Sequence, residues 1–462
     1  MTTIPKPNEE DNALQKRFSY FMKRFAVGRI LRSVNASKEK GVSANNVFVT
    51  LLGLVFTHKN LYTLMSTNGE KLPFGKDVVY RFLSKACVSW ELLVFRLSLA
   101  VIPTIATLTS EERKSVLIVD DTPYYRNRSK KVELLSRCYD HSERRYYKGF
   151  NMLNLGWSDG QTFIPVDFRL VASGNDKNLL EGSHVKEDNR TIATKRRKDA
   201  RRDKPSLVID MLEAVKGTPS EAKYVLFDSW FASPSSLISI KSLGYDVVAR
   251  MKDTEKYHFL HNGETLPLRK IYSMSKKRRG RSRYLLSVTV SVRHKDFDEV
   301  IPAKAVFVRD RNNRKKYISL ISTDTSLSEE EIITLYGKRW DIEPFHKMLK
   351  SFLRLATEFQ LRSFDAITAH TAIVLVRYTF LAVENRYAKD YRTLGALFYL
   401  VCDELQDISF ATAFDLLIST LSQALRDSLY LAKERVLEFV NQLIARLPWF
   451  LRERFIVTVC ES

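Results

Sequence analysis

The chain has 462 residues, 45% of them hydrophobic, so it readily buries a core and is long enough for more than one domain. Its 74 Lys and Arg against 53 Asp and Glu leave a net charge of +21, with a pI near 9.6, which points to a polyanionic partner. No uncharged apolar run of about 18 residues and no signal-peptide pattern is present, which argues against a membrane protein and for a soluble one in the cytoplasm.

Residues 1 to about 15 are polar and carry Pro5 and Pro7, a pattern of disordered lead-ins. From Phe18 to about Ile105 the apolar spacing is helical, and Lys76–Leu83 follows a Gly-containing turn as a recognition helix would. A plain helical bundle with solvated cations gives the same pattern. Val116–Val119 is an apolar run of buried-strand type that ends in Asp120 and Asp121, followed by Thr122. A basic and aromatic stretch comes next, including Tyr124, Tyr125, Arg126, Arg128, Lys130 and Lys131, then Arg144 to Lys148. Phe150–Trp157 and Thr162–Leu170, joined by Ser158-Asp159-Gly160, predict a hairpin. The run from 189 to 204 holds Lys195, Arg196, Arg197, Lys198, Arg201, Arg202 and Lys204; such a run is either a solvated loop or a track for phosphates.

Tyr224–Phe227 predicts a second buried strand ending in an acid, Asp228. A helix over 234–243 and a strand over 245–250 follow, giving β-β-β-α-β-α-β order. Strand-like segments at 284–292, 303–308 and 317–321 come after that, with a basic tract at 276–283 that includes Arg278, Arg279 and Arg281. At 336–350 four polar residues, Tyr336, Arg339, Glu343 and Lys350, sit at offsets that share one side of a helix at ~100° per residue. Pro344 directly after Glu343 requires that helix to kink or begin there. Phe364–Tyr387 reads as a buried helix, and the last 70 or so residues are amphipathic and helical, with core packing and dimer contact both open. The four cysteines and eight histidines are scattered without zinc-ligand spacing.

Three acids, two past buried strands and one on a helix, suit a divalent cation, because rigid elements hold such carboxylates at the surface of the fold. With the Tyr-x2-Arg-x3-Glu-x6-Lys spacing of 336–350, the chain resembles the DDE transposases of bacterial insertion sequences, over roughly residues 113 to 385. The resemblance implies an α/β fold. Its parts are a helical N-terminal DNA-binding domain at 1–112, an RNase H-like mixed-sheet core at 113–251 and 323–385, a β-rich insertion at 252–322 and a helical C-terminal region at 386–462. It implies Asp121, Asp228 and Glu343 as catalytic ligands of Mg2+ or Mn2+, with Asp121 preferred to Asp120 because it directly precedes Thr122. Tyr336, Arg339 and Lys350 are then expected to hold DNA, with Arg278, Arg279, Arg281, Arg196 and Arg197 gripping its backbone. The implied partners are the element's terminal inverted repeats and target DNA, with a homodimer in the DNA complex. Some relatives hold a flipped base on a tryptophan of the insertion; 252–325 has none here, which leaves Tyr257, Phe259, Tyr272, Tyr284, Trp230 and Trp340 as substitutes, with each tryptophan expected to be buried. A nuclease of the same fold that cuts without joining, or an inactive DNA-binding derivative, are the alternatives.

Overall fold

A computed structural model describes residues 13–387, except 38–39, 58–59, 69–71, 111–112, 280–281, 311–312 and 314–315, together with 433–445 and isolated positions between 394 and 425. Most of the C-terminal region expected at 386–462 lies outside the described residues, apart from a helix at Lys433–Ala445.

The sheet is built around β1 (Val116–Tyr125). One edge of β1 pairs antiparallel with β3 (Arg145–Ser158), and the other pairs parallel with β5 (Tyr224–Phe227), which pairs parallel with β6 (Asp246–Met251). The far edge of β3 carries β4 (Phe163–Val171) and, at its N-terminal end, β2 (Ser136–Asp140). The core order β4-β3-β1-β5-β6 is a mixed α/β arrangement that fits an RNase H-like fold. The apolar runs of β1 and β5 are buried on both faces, as expected of interior strands in a sheet covered by helices on both sides.

Strands of the expected insertion continue this same sheet. β11 (Tyr317–Ser322) pairs antiparallel with β6, and β10 (Phe297–Arg309), β9 (Tyr284–His294), β7 (Phe259–His261) and β8 (Glu264–Leu266) follow it outward. All eleven strands among the described residues therefore share one sheet.

The helices form two layers. α8 (Lys204–Val215) and α9 (Pro234–Ser242) cover one face. Their starts are set by Asp203 and Ser233, whose side chains accept backbone N–H groups of the first turn. α11 (Glu329–Gly337), α12 (Ile342–Ser351) and α13 (Phe364–Tyr387) lie on the other. α11 starts on a full capping box between Ser328 and Glu331. α13 is long and apolar enough to cross a membrane, yet it is enclosed by protein along its length.

The N-terminal helices α1 (Ala13–Arg24), α2 (Val27–Ser33), α3 (Ala44–Leu54), α4 (Leu61–Asn68), α5 (Lys76–Leu83) and α6 (Trp90–Ala106) share a continuous hydrophobic core with the sheet. α6 runs over β4 and against α13, and α13 also meets α3 and α5. The fully buried Arg377 of α13 ties that joint. It donates to the carbonyls of Leu51 and Leu52 in the last turn of α3 and to both carboxylate oxygens of Glu358.

A second buried knot corrects an expectation. Arg196 and Arg197, on α7 (Ile192–Asp199), are both 6% exposed and reach no solvent-facing phosphate track. Arg197 donates to Glu133 at 2.7 and 2.9 Å and to Asp365 at 2.8 Å; Arg196 donates to Glu91 at 2.8 Å, to the Val88 carbonyl at 2.6 Å and to Asp365. Glu133 also accepts the backbone amides of His184 and Phe364. The physical reason is charge satisfaction: a buried guanidinium is tolerated only when paired and fully hydrogen-bonded, and here α6, α13 and the β1–β2 connection supply the acids. Much of the remaining tract is paired as well, Lys198 with Glu187, Arg201 with Asp176, Arg202 with Asp210 and Lys204 with Asp121.

Arg197→Ala leaves Glu133 in the interior without its cation and Asp365 with Arg196 alone. We expect it to lower stability by about 3–5 kcal/mol in chemical denaturation, and a loss below about 1 kcal/mol would show that the knot is not structural.

Candidate active site

Backbone alternation in β1 decides which acid faces what. In antiparallel pairing, opposed residues share a face, and Asp120 pairs with Asn154 while Asp121 pairs with Leu153. The Asn154 amide lies 3.1 Å from Nε2 of His346 on α12, so Asp120 is on the α12 face. Burial pushes the His346 imidazole down to about 3, which keeps it neutral and able to accept from that amide. Asp121 points the other way, toward the start of α8, where the Lys204 ammonium donates to it at 2.6 Å.

Asp228 stands one residue past β5. Phe227 pairs with Val119, so in-phase parallel strands bring Asp228 level with Asp120. Its carboxylate accepts the Trp230 backbone N–H, fixing the turn after the strand. The signature does not form a single helix. α11 ends at Gly337, a 3-10 turn spans Lys338–Asp341, and α12 begins at Ile342, which places Pro344 in a first turn where its missing N–H costs no bond. This break turns Arg339 inward, 8% exposed, beside Glu343.

The Arg339 guanidinium lies 3.6 Å from Asp120 and 3.5 Å from Glu343 through the same nitrogen, too long for firm pairing, while its Nε has no partner among the described residues. Burial works against its charge, but Tyr336, Asp120, Glu343 and Asp228 outweigh that and raise its pKa. Burial likewise raises the Tyr336 phenol, with Asp228 adding and Arg339 opposing. Asp120 is pushed up to about 7, first by burial and then by Asp121, with Glu343 adding and Arg339 opposing. Tyr336, Arg339, Asp120, Asp228 and Glu343 thus form one electrostatically coupled group. Lys350, at the far end of α12, donates to Thr122 at 2.6 Å, two residues along β1 on Asp120's face; burial lowers its pKa.

Among the described residues no three carboxylate, histidine or cysteine groups stand close enough to form a finished metal site. The donor set nevertheless fits a hard divalent cation: carboxylate oxygens from a strand, a strand end and a helix start, with an acid of raised pKa and a cationic side chain already drawn between two of them. Trp230 and Trp340, expected to be buried, are 39% and 62% exposed; Trp340 lies beside Arg339, and Trp230 lies under Lys204 on the Asp121 side, with its backbone N–H on Asp228. Phe259 is in the core, and Tyr257, Tyr272 and Tyr284 pack against it. Arg278 and Arg279 are exposed, with Arg278 stacked 4.5 Å over Tyr284; Arg281 lies outside the described residues.

Residues 56–315, 260 of the 462, match the family model described as DDE superfamily endonuclease. The chain belongs to that family. As a DDE endonuclease it is a nuclease-type enzyme, and its mixed α/β sheet fits the fold of the class. The matched span contains Asp120, Asp121 and Asp228 and stops short of Glu343, so the third acid rests on the cluster geometry and the 336–350 spacing. No curated protein matches the chain.

An acid raised on folding favours the proton-bound folded state. Stability from Asp120 is therefore fully present below about pH 4 and is lost as pH rises to about 7. In EDTA, the melting temperature of the wild-type endonuclease should fall across that window, and Asp120→Asn should flatten the fall and melt higher at pH 8. Parallel curves for the two proteins would refute the assignment.

Proposed function

We propose that this endonuclease is the transposase of an insertion sequence, cutting the ends of its element and joining them to target DNA, with Asp120, Asp228 and Glu343 as the acidic triad. One observation carries the reading: the break at Lys338–Asp341 folds Tyr336, Arg339 and Glu343 onto Asp120 of β1 and Asp228 just past β5, bringing the strand acids together with the signature. Asp121 is set aside as first ligand because its carboxylate is engaged by Lys204 on the opposite face of the sheet.

Mg2+ or Mn2+ held by the three carboxylates would activate the attacking water or 3′-hydroxyl and offset charge on the departing oxygen. The other steps belong to side chains. Arg339, desolvated and loosely paired, presents a guanidinium able to take a phosphate through two parallel hydrogen bonds. Tyr336 keeps its proton and supplies a donor beside it, while Lys350 anchors α12 to β1 at Thr122. Trp340 offers an exposed ring beside Arg339 for an unstacked base, and Trp230 one beside Lys204, a role the insertion cannot fill with tryptophan. Residues 1–112 recognise the element's inverted repeats in this reading, two copies of the chain act in the complex, and Arg278 and Arg279 hold backbone.

Asp120→Asn, Asp228→Asn and Glu343→Gln should each lower cleavage of a duplex carrying the gene's flanking repeats by more than about a hundredfold, since even outer partners of metal ligands cost 10–100-fold. Asp121→Asn should keep measurable cleavage. An inactive Asp121→Asn beside an active Asp120→Asn reverses the assignment, and cleavage without joined product identifies a nuclease that only cuts.

Replacing Arg278 and Arg279 with Ala should weaken binding to all duplexes alike and flatten the salt dependence, because phosphate contacts release counterions without reading sequence. A change in end preference at constant salt slope would contradict this role.

A further inference from the structure

The β2–β3 hairpin carries an exposed surface that neither the acidic group nor the signature uses. Alternation puts Arg137 and Tyr139 of β2 on one face, and their partners Lys148 and Tyr146 of β3 on the same face. All four are exposed, Tyr139 at 40% and Tyr146 at 60%, whereas Cys138 and Tyr147 between them are buried on the other side. The two phenol rings meet edge to face at 5.0 Å, His141 stands 5.0 Å from Tyr139, and the Arg137 guanidinium lies 4.2 Å from the Tyr146 ring centre.

The same alternation along β3 puts this patch on the strand face that carries Asn154, although Phe150 and Met152 between them are fully buried. Asn154, opposite Asp120, and Lys148 and Tyr146 are separated by even numbers of residues, so they fall on the same face of the strand. Six to eight residues at ~3.4 Å each set the patch about 20–27 Å from the acids, or about six to eight nucleotide steps along a stacked strand.

The hairpin is stiff. Asp140 accepts the Tyr125 hydroxyl at 2.5 Å and the Ser142 and Glu143 amides at 2.8 and 3.1 Å. β3 and β1 come so close at Gly149 that a Cβ there would stand 2.0 Å from the Tyr124 carbonyl oxygen, so only glycine holds this register. Two tyrosines kept in solvent on a rigid edge, interleaved with cations, have the makeup of a stacking platform for bases with a charged track for their phosphates. Duplex DNA would call on the cations alone, because its bases are already stacked.

We infer that Tyr139 and Tyr146, with Arg137 and Lys148, bind unpaired bases of a DNA strand about 20–27 Å from the acidic group. This rests on the reading that the chain handles DNA and deepens it by naming a second contact with an unpaired strand. The test uses the full chain in EDTA, so cleavage plays no part, and fluorescence anisotropy of a labelled 20-nucleotide single strand and its duplex.

Tyr139→Ala with Tyr146→Ala should weaken single-strand binding by about tenfold or more, while Tyr139→Phe with Tyr146→Phe stays within about twofold and duplex binding within about twofold. An equal loss for both probes, or no loss for the single strand, overturns the platform. Wild-type protein that binds duplex but not the single strand overturns it while leaving the transposase reading intact; wild-type protein that binds neither probe removes both. Because both rings are exposed, the alanine protein should melt with the wild type, and the phenylalanine pair separates loss of stacking from loss of a hydroxyl contact.

Discussion

Two pairings of a single strand set which face of the sheet each acid takes: β1 lies antiparallel to β3 and parallel to β5. A strand's side chains alternate with a period of two, so fixing the register of β1 against both neighbours fixes which of two adjacent acids meets α12. A slip of one residue would turn Asp120 toward Lys204 and Asp121 toward Arg339. The register is protected by the residues that precede the acids. Val116 to Val119 are buried on both faces, and Gly149 and Gly156 permit approaches that a side chain would block, Gly156 against the Phe163 ring. The packing that stabilises the sheet is therefore also what aims the carboxylate.

The second constraint is the break before α12. A continuous helix from Glu329 to Ser351 would have needed an interior proline, at a cost of about 3 kcal/mol or more. Ending α11 at Gly337 and restarting at Ile342 removes that cost and rotates Arg339 into the group of acids. The result is an unsettled balance: Asp120 with its pKa pushed up to about 7, a guanidinium loosely placed between two carboxylates, and one of its N–H groups without a partner among the described residues. Such a group gains from a ligand carrying both a cation and a phosphate, since the cation stabilises the carboxylates and the phosphate takes up the guanidinium.

Much of this was legible from residue order. Runs ending in acids marked β1 and β5, Ser158-Asp159-Gly160 marked the β3–β4 turn, and Pro344 marked the start of α12, because each signal is local in the chain. What could not be read was set by residues far apart. Which face Asp120 and Asp121 each take needs Asn154 and His346, and the family pattern alone favours the acid beside Thr122. Arg196 and Arg197 look like a phosphate track until Glu91, Glu133 and Asp365 are seen to enclose them. The insertion looks like a separate module until β11 is paired with β6.

The net charge of +21 carries the same lesson about position. Cations count toward a polyanion only where they remain accessible, and the densest basic run in the chain spends much of its charge on internal acids. Arg196 and Arg197 join α6, α7, α13 and the β1–β2 connection; Lys204 holds Asp121 away from the cluster; Arg377 closes the ends of α3. Accessible positive charge instead lies on surfaces with exposed or partly buried aromatic rings, at Arg278 over Tyr284 and at Arg137 over Tyr146. A guanidinium stacked on a ring loses less freedom when it meets a phosphate, because the ring already limits its orientations. A basic composition thus resolves into two populations, one that assembles the scaffold and one that stands ready at the surface.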